Sequence, residues 1–174
     1  MTTWSTATFD SPVGPLTLLA SDAGLRALLW PTDVPGRRVP WPDGTAAEPS
    51  HPVLHRAAGQ LDEYFAGRRR SFDVPLDLHG TAFQVKAWRA LASIPYGATV
   101  SYGEQARQLG DPNKARAVGA ANARNPVSII LPCHRVIGSD GALTGFAGGI
   151  DAKRTLLELE ARVVADGGPV PSPM

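Results

Sequence analysis

The chain has 174 residues, 43% hydrophobic and 19% charged, with one cysteine and a net charge of +1. That length holds one large domain or two small ones. The absence of an apolar run of about 18 residues speaks against a helical membrane span. A lone cysteine excludes an intramolecular disulfide and points to a reducing, cytoplasmic setting.

The N-terminal stretch Met1 to Pro12 is polar and carries Asp10, which is not the pattern of a secretory signal. Residues 6–10, 16–20 and 25–30 then read as strands. Pro12-Val13-Gly14-Pro15 and Ser21-Asp22-Ala23-Gly24 supply the turns between them. This is a small antiparallel meander. Pro31 to Pro52 holds six prolines and no period, so it is expected to be an irregular, mobile loop at about 31–52. From His51 to Ala66 a helix is predicted, with Val53, Leu54, Ala57, Ala58, Leu61 and Phe65 on one side and Gly67 ending it. Ser71 to Leu78 reads as extended.

From Thr81 the pattern changes to short capped helices. Thr81 caps a helix whose apolar content is Phe83, Val85, Ala87, Trp88 and Leu91, and Ile94-Pro95-Tyr96-Gly97 stops it. Ser101 caps a second, Tyr102 to Leu109. After the turn Gly110-Asp111-Pro112, Asn113 caps a third, Lys114 to Ala123. Two short helices joined by a tight Gly-containing turn have the sequence form of a helix-turn-helix, whose last helix reads DNA. That helix is rich in Ala and carries Gly119, which costs about 1 kcal/mol in a helix interior relative to Ala. Small residues suit close approach, either to a nucleic-acid groove or to a neighbouring helix. Charge is uneven along the chain. Residues 1–80 carry seven Lys/Arg and nine Asp/Glu, whereas residues 81–162 carry ten and six. A basic second half suits a polyanionic partner.

Asn125-Pro126 ends the third helix. Val127 to Leu131 is apolar and β-prone, so a buried strand or extended segment is expected to deliver Pro132-Cys133-His134-Arg135-Val136. A thiol becomes a good nucleophile as a thiolate, and an adjacent base oriented by a third group is the general device for making one. His134 can serve Cys133 directly or through a water if the chain turns at Pro132. On an extended strand the two side chains would point apart. The residues alone equally allow a buried core cysteine beside a bystander histidine. Glu158 and Glu160, on a C-terminal helix from Asp151 to Arg162, are both candidates to orient His134. One cysteine and four scattered histidines form no metal-ligand cluster. Thr144-Gly145-Phe146-Ala147-Gly148-Gly149 is a Gly-rich loop without a phosphate-loop ending. Phe146 in it offers a stacking face.

Ile130-Leu131-Pro132-Cys133-His134-Arg135-Val136-Ile137 resembles the active-site signature of the O6-alkylguanine-DNA alkyltransferases, also called methylated-DNA–protein-cysteine methyltransferases. Pro95-Tyr96-Gly97, Ser101-Tyr102-Gly103, Lys114 to Gly119, Asn125-Pro126 and Gly148-Gly149 flank it in the family's order. The resemblance is close from Thr81 to Glu160. It is looser from Ser11 to Leu78, where Ser11-Pro12-Val13-Gly14 and Leu61-Asp62-Glu63-Tyr64-Phe65 carry it. It does not cover the proline-rich loop or the tail after Arg162.

The resemblance implies an α+β protein of two domains. Residues 1–78 would form a small ribonuclease-H-like antiparallel-sheet domain. Residues 79–162 would form a helical, winged-helix-like domain holding the helix-turn-helix, and residues 163–174 a flexible tail. It implies that O6-alkylguanine, and O4-alkylthymine with it, is flipped from double-stranded DNA, and that its alkyl group passes once and irreversibly to Cys133. His134 would take the thiol proton through a water, with Glu160 orienting His134. Tyr102 would donate to the guanine N3, and Arg116 would fill the gap left by the flipped nucleotide. Lys114, Arg116, Ala117, Gly119 and Asn122, with Tyr102, would meet DNA. Asn125, Val136, Phe146 and Ala147 would join Tyr102 around the base, with Asn125 bracing the reader helix against the active site. Arg135 would be structural, tying the site to the N-terminal domain. No cofactor or metal is implied, and the partner is lesion-bearing DNA, met as a monomer or in cooperative assembly. Phe146 replaces the tyrosine of many relatives, and with no cysteine before position 133 the structural zinc of some relatives has no thiolate ligands here. Three rival readings stay open: a non-catalytic lesion binder, a cysteine hydrolase using Cys133 and His134, and a regulator using the helix-turn-helix alone.

Overall fold

The computed structural model describes residues 3–34, 36 and 39–167. The described residues divide into two compact units, one up to His79 and the other from Gly80.

The first unit is built on three antiparallel strands, β1 (Trp4–Ser11), β2 (Gly14–Ser21) and β3 (Gly24–Leu29), in the expected meander order. Ser11 pairs with Gly14 across a two-residue turn, and the φ of 98° at Gly14 is one that L side chains rarely adopt. β2 and β3 bury Leu16, Leu18, Leu19, Leu25 and Leu28 completely. Each such leucine contributes about 1.5–3 kcal/mol through removal from water. Gly24 allows a close approach: a Cβ there would lie 2.7 Å from the Pro75 carbonyl oxygen. Segment 75–77 therefore runs against β3, with hydrogen bonds from Leu25 N to Pro75 O and from Asp77 N to Leu25 O. Within the predicted extended stretch 71–78, this bridge pairs Leu76 with Leu25 of β3.

The proline-rich segment is irregular but docked. Val39 is 2% exposed and packs with Leu19, Ala27 and Leu29, flanked by Trp4 and Trp41. A two-residue strand, β4 (Ala46–Ala47), pairs parallel with β1. Sequence reading missed it because two alanines among prolines carry no strand signal. Helix α1 (Pro52–Phe65) follows, with the His51 side chain accepting from Val53 N as its N-cap. Its buried face centres on Tyr64, with Phe65 half-buried at the margin.

The second unit holds α2 (Ala82–Ala90), β5 (Val100–Ser101), α3 (Tyr102–Gln108), α4 (Ala115–Ala123), β6 (Val136–Ile137) and α5 (Ile150–Ala165). Thr81 and Ser101 cap α2 and α3 as expected, and each does so in a reciprocal capping box, with Gln84 and Glu104. The third cap differs. Asp111, not Asn113, accepts the hydrogen bond, and it caps a 3₁₀ turn over 112–114 that precedes α4. Proline at the first position of that turn suits this entry into the helix. Trp88 anchors α4 from α2: its buried indole N–H donates to Ala121 O at 2.7 Å. Helix α5 runs to Ala165, so the first residues assigned to the tail are helical, while residues 168–174 lie outside the described part.

Candidate active site

The segment Val127 to Leu131 is buried as expected but is not a strand. It coils through turns, with Leu131 N donating to Val127 O and a single bridge joining Ser128 to Leu131. Ile129 takes a φ of 76°, a left-handed conformation that costs a β-branched residue about 1–3 kcal/mol. β-propensity was overridden here by a brace. Asn125 is fully buried; its Nδ2 donates to Leu131 O and its Oδ1 accepts from Val127 N, clamping the coil at both ends. A fully buried side chain engaged in this way does not fit the expected contact with the base, and it fits the other role the resemblance implies for Asn125, a brace between α4 and Cys133.

The coil ends at Pro132, and Cys133, His134 and Arg135 form one 3₁₀ turn. The turn resolves the question of opposite faces. Cys133 is 5% exposed, and its Sγ lies 3.9 Å from Ser128 Oγ. His134 is fully buried with Nε2 2.6 Å from Glu160 Oε2. Glu158 is exposed, so the burial of α5 chooses between the two glutamates. Arg135 donates through Nε and NH2 to both oxygens of Glu160 and through NH1 to Ile94 O, and lies over the Tyr96 ring. Its strut role is thus played inside the second unit. Gly97 N adds a further donor to Glu160.

These contacts set the charge states. Burial alone would raise the Glu160 pKa, but the hydrogen bonds and charges of His134 and Arg135 overcome it and hold it at about 2. Burial pushes the His134 pKa below its usual value against the opposing pull of Glu160. Glu160 is therefore ionised and His134 neutral near pH 7. A neutral imidazole facing a carboxylate carries its proton on Nε2, which leaves Nδ1 as a bare acceptor. Nδ1 is buried and has no hydrogen-bond partner among the described residues. This arrangement is a base held ready for a proton.

Helices α3 and α4 form the expected helix-turn-helix. Lys114, Arg116 and Ala117 are exposed on α4 or at its start, and the Lys114 ammonium sits 5.6 Å from the Phe83 ring centre. A Cβ on Gly119 would make only ordinary contact with the Tyr102 ring, at 3.7 Å, so packing inside the protein does not require glycine there. Asn122 departs from its assigned role. It is 5% exposed and exchanges amide hydrogen bonds with Gln105 of α3. It welds the two helices together and is closed off from solvent.

Tyr102, at the start of α3, donates its hydroxyl to Thr144 O at 3.2 Å, which places it against the Gly-rich loop. Phe146 and Ala147 of that loop are half-buried. The Val136 backbone is already engaged: its N–H donates to Cys133 O and its carbonyl accepts from Lys153. A base edge meeting that carbonyl would share it with the lysine. Sequence reasoning missed Lys153 and Ser128. The signal for Lys153 was a lysine within the stripe Ala152, Leu156, Leu159, seven residues before Glu160; Ser128 had none.

Residues 5–78 match the 6-O-methylguanine DNA methyltransferase ribonuclease-like domain, and residues 82–162 match the 6-O-methylguanine DNA methyltransferase DNA binding domain. A methylated-DNA–protein-cysteine methyltransferase of Mycobacterium tuberculosis is 53% identical over 162 residues, spanning 91% of this chain and 94% of its own. One of Methanosarcina acetivorans is 46% identical over 88% of this chain and 96% of its own. A crystal structure of Mycobacterium tuberculosis O6-methylguanine methyltransferase superposes with a TM-score of 0.80 at 49% identity, covering 93% and 94% of the two chains. One of Mycobacterium tuberculosis OGT in complex with DNA gives 0.77 at 48%, covering 92% and 93%. With both halves matched, and Cys133 and His134 in one buried turn whose histidine meets Glu160 of α5, the chain belongs to the 6-O-methylguanine DNA methyltransferase family.

Proposed function

We propose that this protein repairs O6-alkylguanine in double-stranded DNA by moving the alkyl group to Cys133, once per molecule. The observation that carries the reading is the buried pair of His134 and Glu160, with Nδ1 of the imidazole left open as a base on the same turn as Cys133. Glu160 fixes the imidazole tautomer, and His134 Nδ1 takes the thiol proton, directly or through one water. The thiolate attacks the alkyl carbon. The C–S bond forms as the C–O bond breaks, and the electron pair departs with the purine oxygen. The guanine then takes up one proton, balancing the one that the thiol gave up. Tyr102 donates to the ring N3 as that charge builds. The product is a thioether, which has no proton to lose and no easy leaving route, so the protein is consumed.

The target atom lies inside a base stack, so the nucleotide must leave it at a cost of a few kcal/mol. Exposed Arg116, at the start of α4, is placed to fill the gap and draw the phosphates. The same chemistry extends to O4-alkylthymine, and a single thiol that must stay reduced suits a protein working as a monomer in the cytoplasm.

The test uses duplex DNA carrying O6-methylguanine labelled in the methyl group. The expected result is label on Cys133 that stops at one equivalent. Cys133→Ser binds the lesion duplex and takes no label. Continued release of product would identify a hydrolase, and label remaining on DNA a passive lesion binder; either outcome defeats the proposal.

A further inference from the structure

Helix α5 carries a second charged side chain that faces inward. Lys153 is 1% exposed, beside buried Ala152 and Leu156. A buried ammonium is costly unless its N–H donors find acceptors. Nζ donates to Val136 O at 2.7 Å and to Thr144 O at 3.0 Å. It also lies 5.9 Å from the Tyr102 ring centre and 6.0 Å from that of Phe146, close enough for cation–π attraction. These contacts join three pieces of chain: the strand after Cys133, the loop 144–149 and the start of α3. The Tyr102 hydroxyl donates to the same Thr144 oxygen. Burial lowers the Lys153 pKa, and the charge of Cys133 opposes that fall. The relay described above uses none of these contacts.

Building on the alkyl-transfer reading, we propose that Lys153 is a positioning residue that latches loop 144–149 to the strand after Cys133. One side chain then holds the wall of the base pocket in place beside the nucleophile. When a base enters, the Tyr102 hydroxyl is free to leave Thr144 O for the ring, because Lys153 keeps that carbonyl satisfied and the loop in place.

The test follows hydrogen exchange at Gly145 to Gly149 in the full-length protein without DNA. In Lys153→Met, which keeps the length of the stem and removes the donors, exchange at these amides quickens about tenfold, the loss of about one hydrogen bond. Lys153→Arg, which keeps donors at the end of the stem, stays closer to wild type. Unchanged exchange in Lys153→Met overturns the latch. If Lys153→Met does not fold, the wild-type protein decides: amides 145 to 149 that exchange as fast as an unstructured chain overturn the latch. Wild type with a protected loop that takes nothing from methylated DNA would sink the repair reading and leave the result on Lys153 standing.

Discussion

The two units solve the problem of burial in opposite ways. The first hides leucines, with Leu16, Leu18, Leu19, Leu25 and Leu28 at 0% exposure across two strands. The second hides charge: His134, Arg135, Lys153 and Glu160 are all at most 5% exposed. A leucine core needs only shape, and its stabilisation scales with area. Buried charges cost several kcal/mol each in lost hydration and persist only when they satisfy one another. Glu160 meets that demand, with four donors from His134, Arg135 and Gly97 on its two oxygens. The first unit is built for stability. The second gives up some stability to keep a carboxylate ionised and an imidazole neutral where the chemistry needs them.

Substitutions on the two sides should therefore fail differently. Glu160→Gln is expected to reduce methyl transfer on the order of a hundredfold or more, because it removes the charge that fixes the His134 tautomer. It should also lower stability by about 3 kcal/mol, because Arg135 is left buried against a neutral partner. Single-turnover transfer and denaturant melts measure the two effects, and normal transfer would detach Glu160 from the relay. Leu18→Ala should cost about 2–5 kcal/mol in melts, with the transfer rate of the folded fraction unchanged. A slowed rate in that variant would show that the first unit does more than support.

Acid should act on the second unit. His134 titrates below its unfolded value, so its contribution is present above about pH 6.5 and fades as the unfolded chain binds protons below that. Glu160 adds a loss between pH 4.5 and about 2, the window between its ordinary and folded values. Melting midpoints across pH should fall in that order, and a chain equally stable at pH 7 and pH 4 would contradict it. The smallest effect expected is that of Arg116→Ala, which should slow repair of duplex about tenfold through loss of the wedge and one phosphate contact, with little change on free O6-methylguanine base. Equal losses on both substrates would remove the wedge role.

Much of this was legible in the sequence, for identifiable reasons. The meander showed through alternation and glycine turns, and α2 and α3 through Thr81 and Ser101, whose capping chemistry is local. Cys133 and His134 followed from the signature and Glu160 from the wider resemblance, while the turn after Pro132 and the buried face of α5 set their places. What could not be read depends on contacts far apart in the chain. Asn122 looks like a groove-facing polar residue until Gln105, 17 positions away, is seen to take it. Val127 to Leu131 has every mark of a strand except a partner strand, and Asn125 coils it instead. Asn113 lost its cap to Asp111 because the chain enters α4 through a proline turn, which a helix-start rule does not anticipate.

The bond from Trp88 to Ala121 has a consequence beyond holding two helices together. It grips the reader helix near its C-terminal end, two residues before Ala123 closes α4, while Asn122 is welded to α3 and Asn125 clamps the coil leading to the nucleophile. A continuous set of hydrogen bonds thereby links α4 to the turn that carries Cys133. The more firmly that set holds, the more of the bending falls to the duplex. The work of exposing a lesion then depends on how easily the surrounding base steps unstack, and flexible steps ask less than stiff ones.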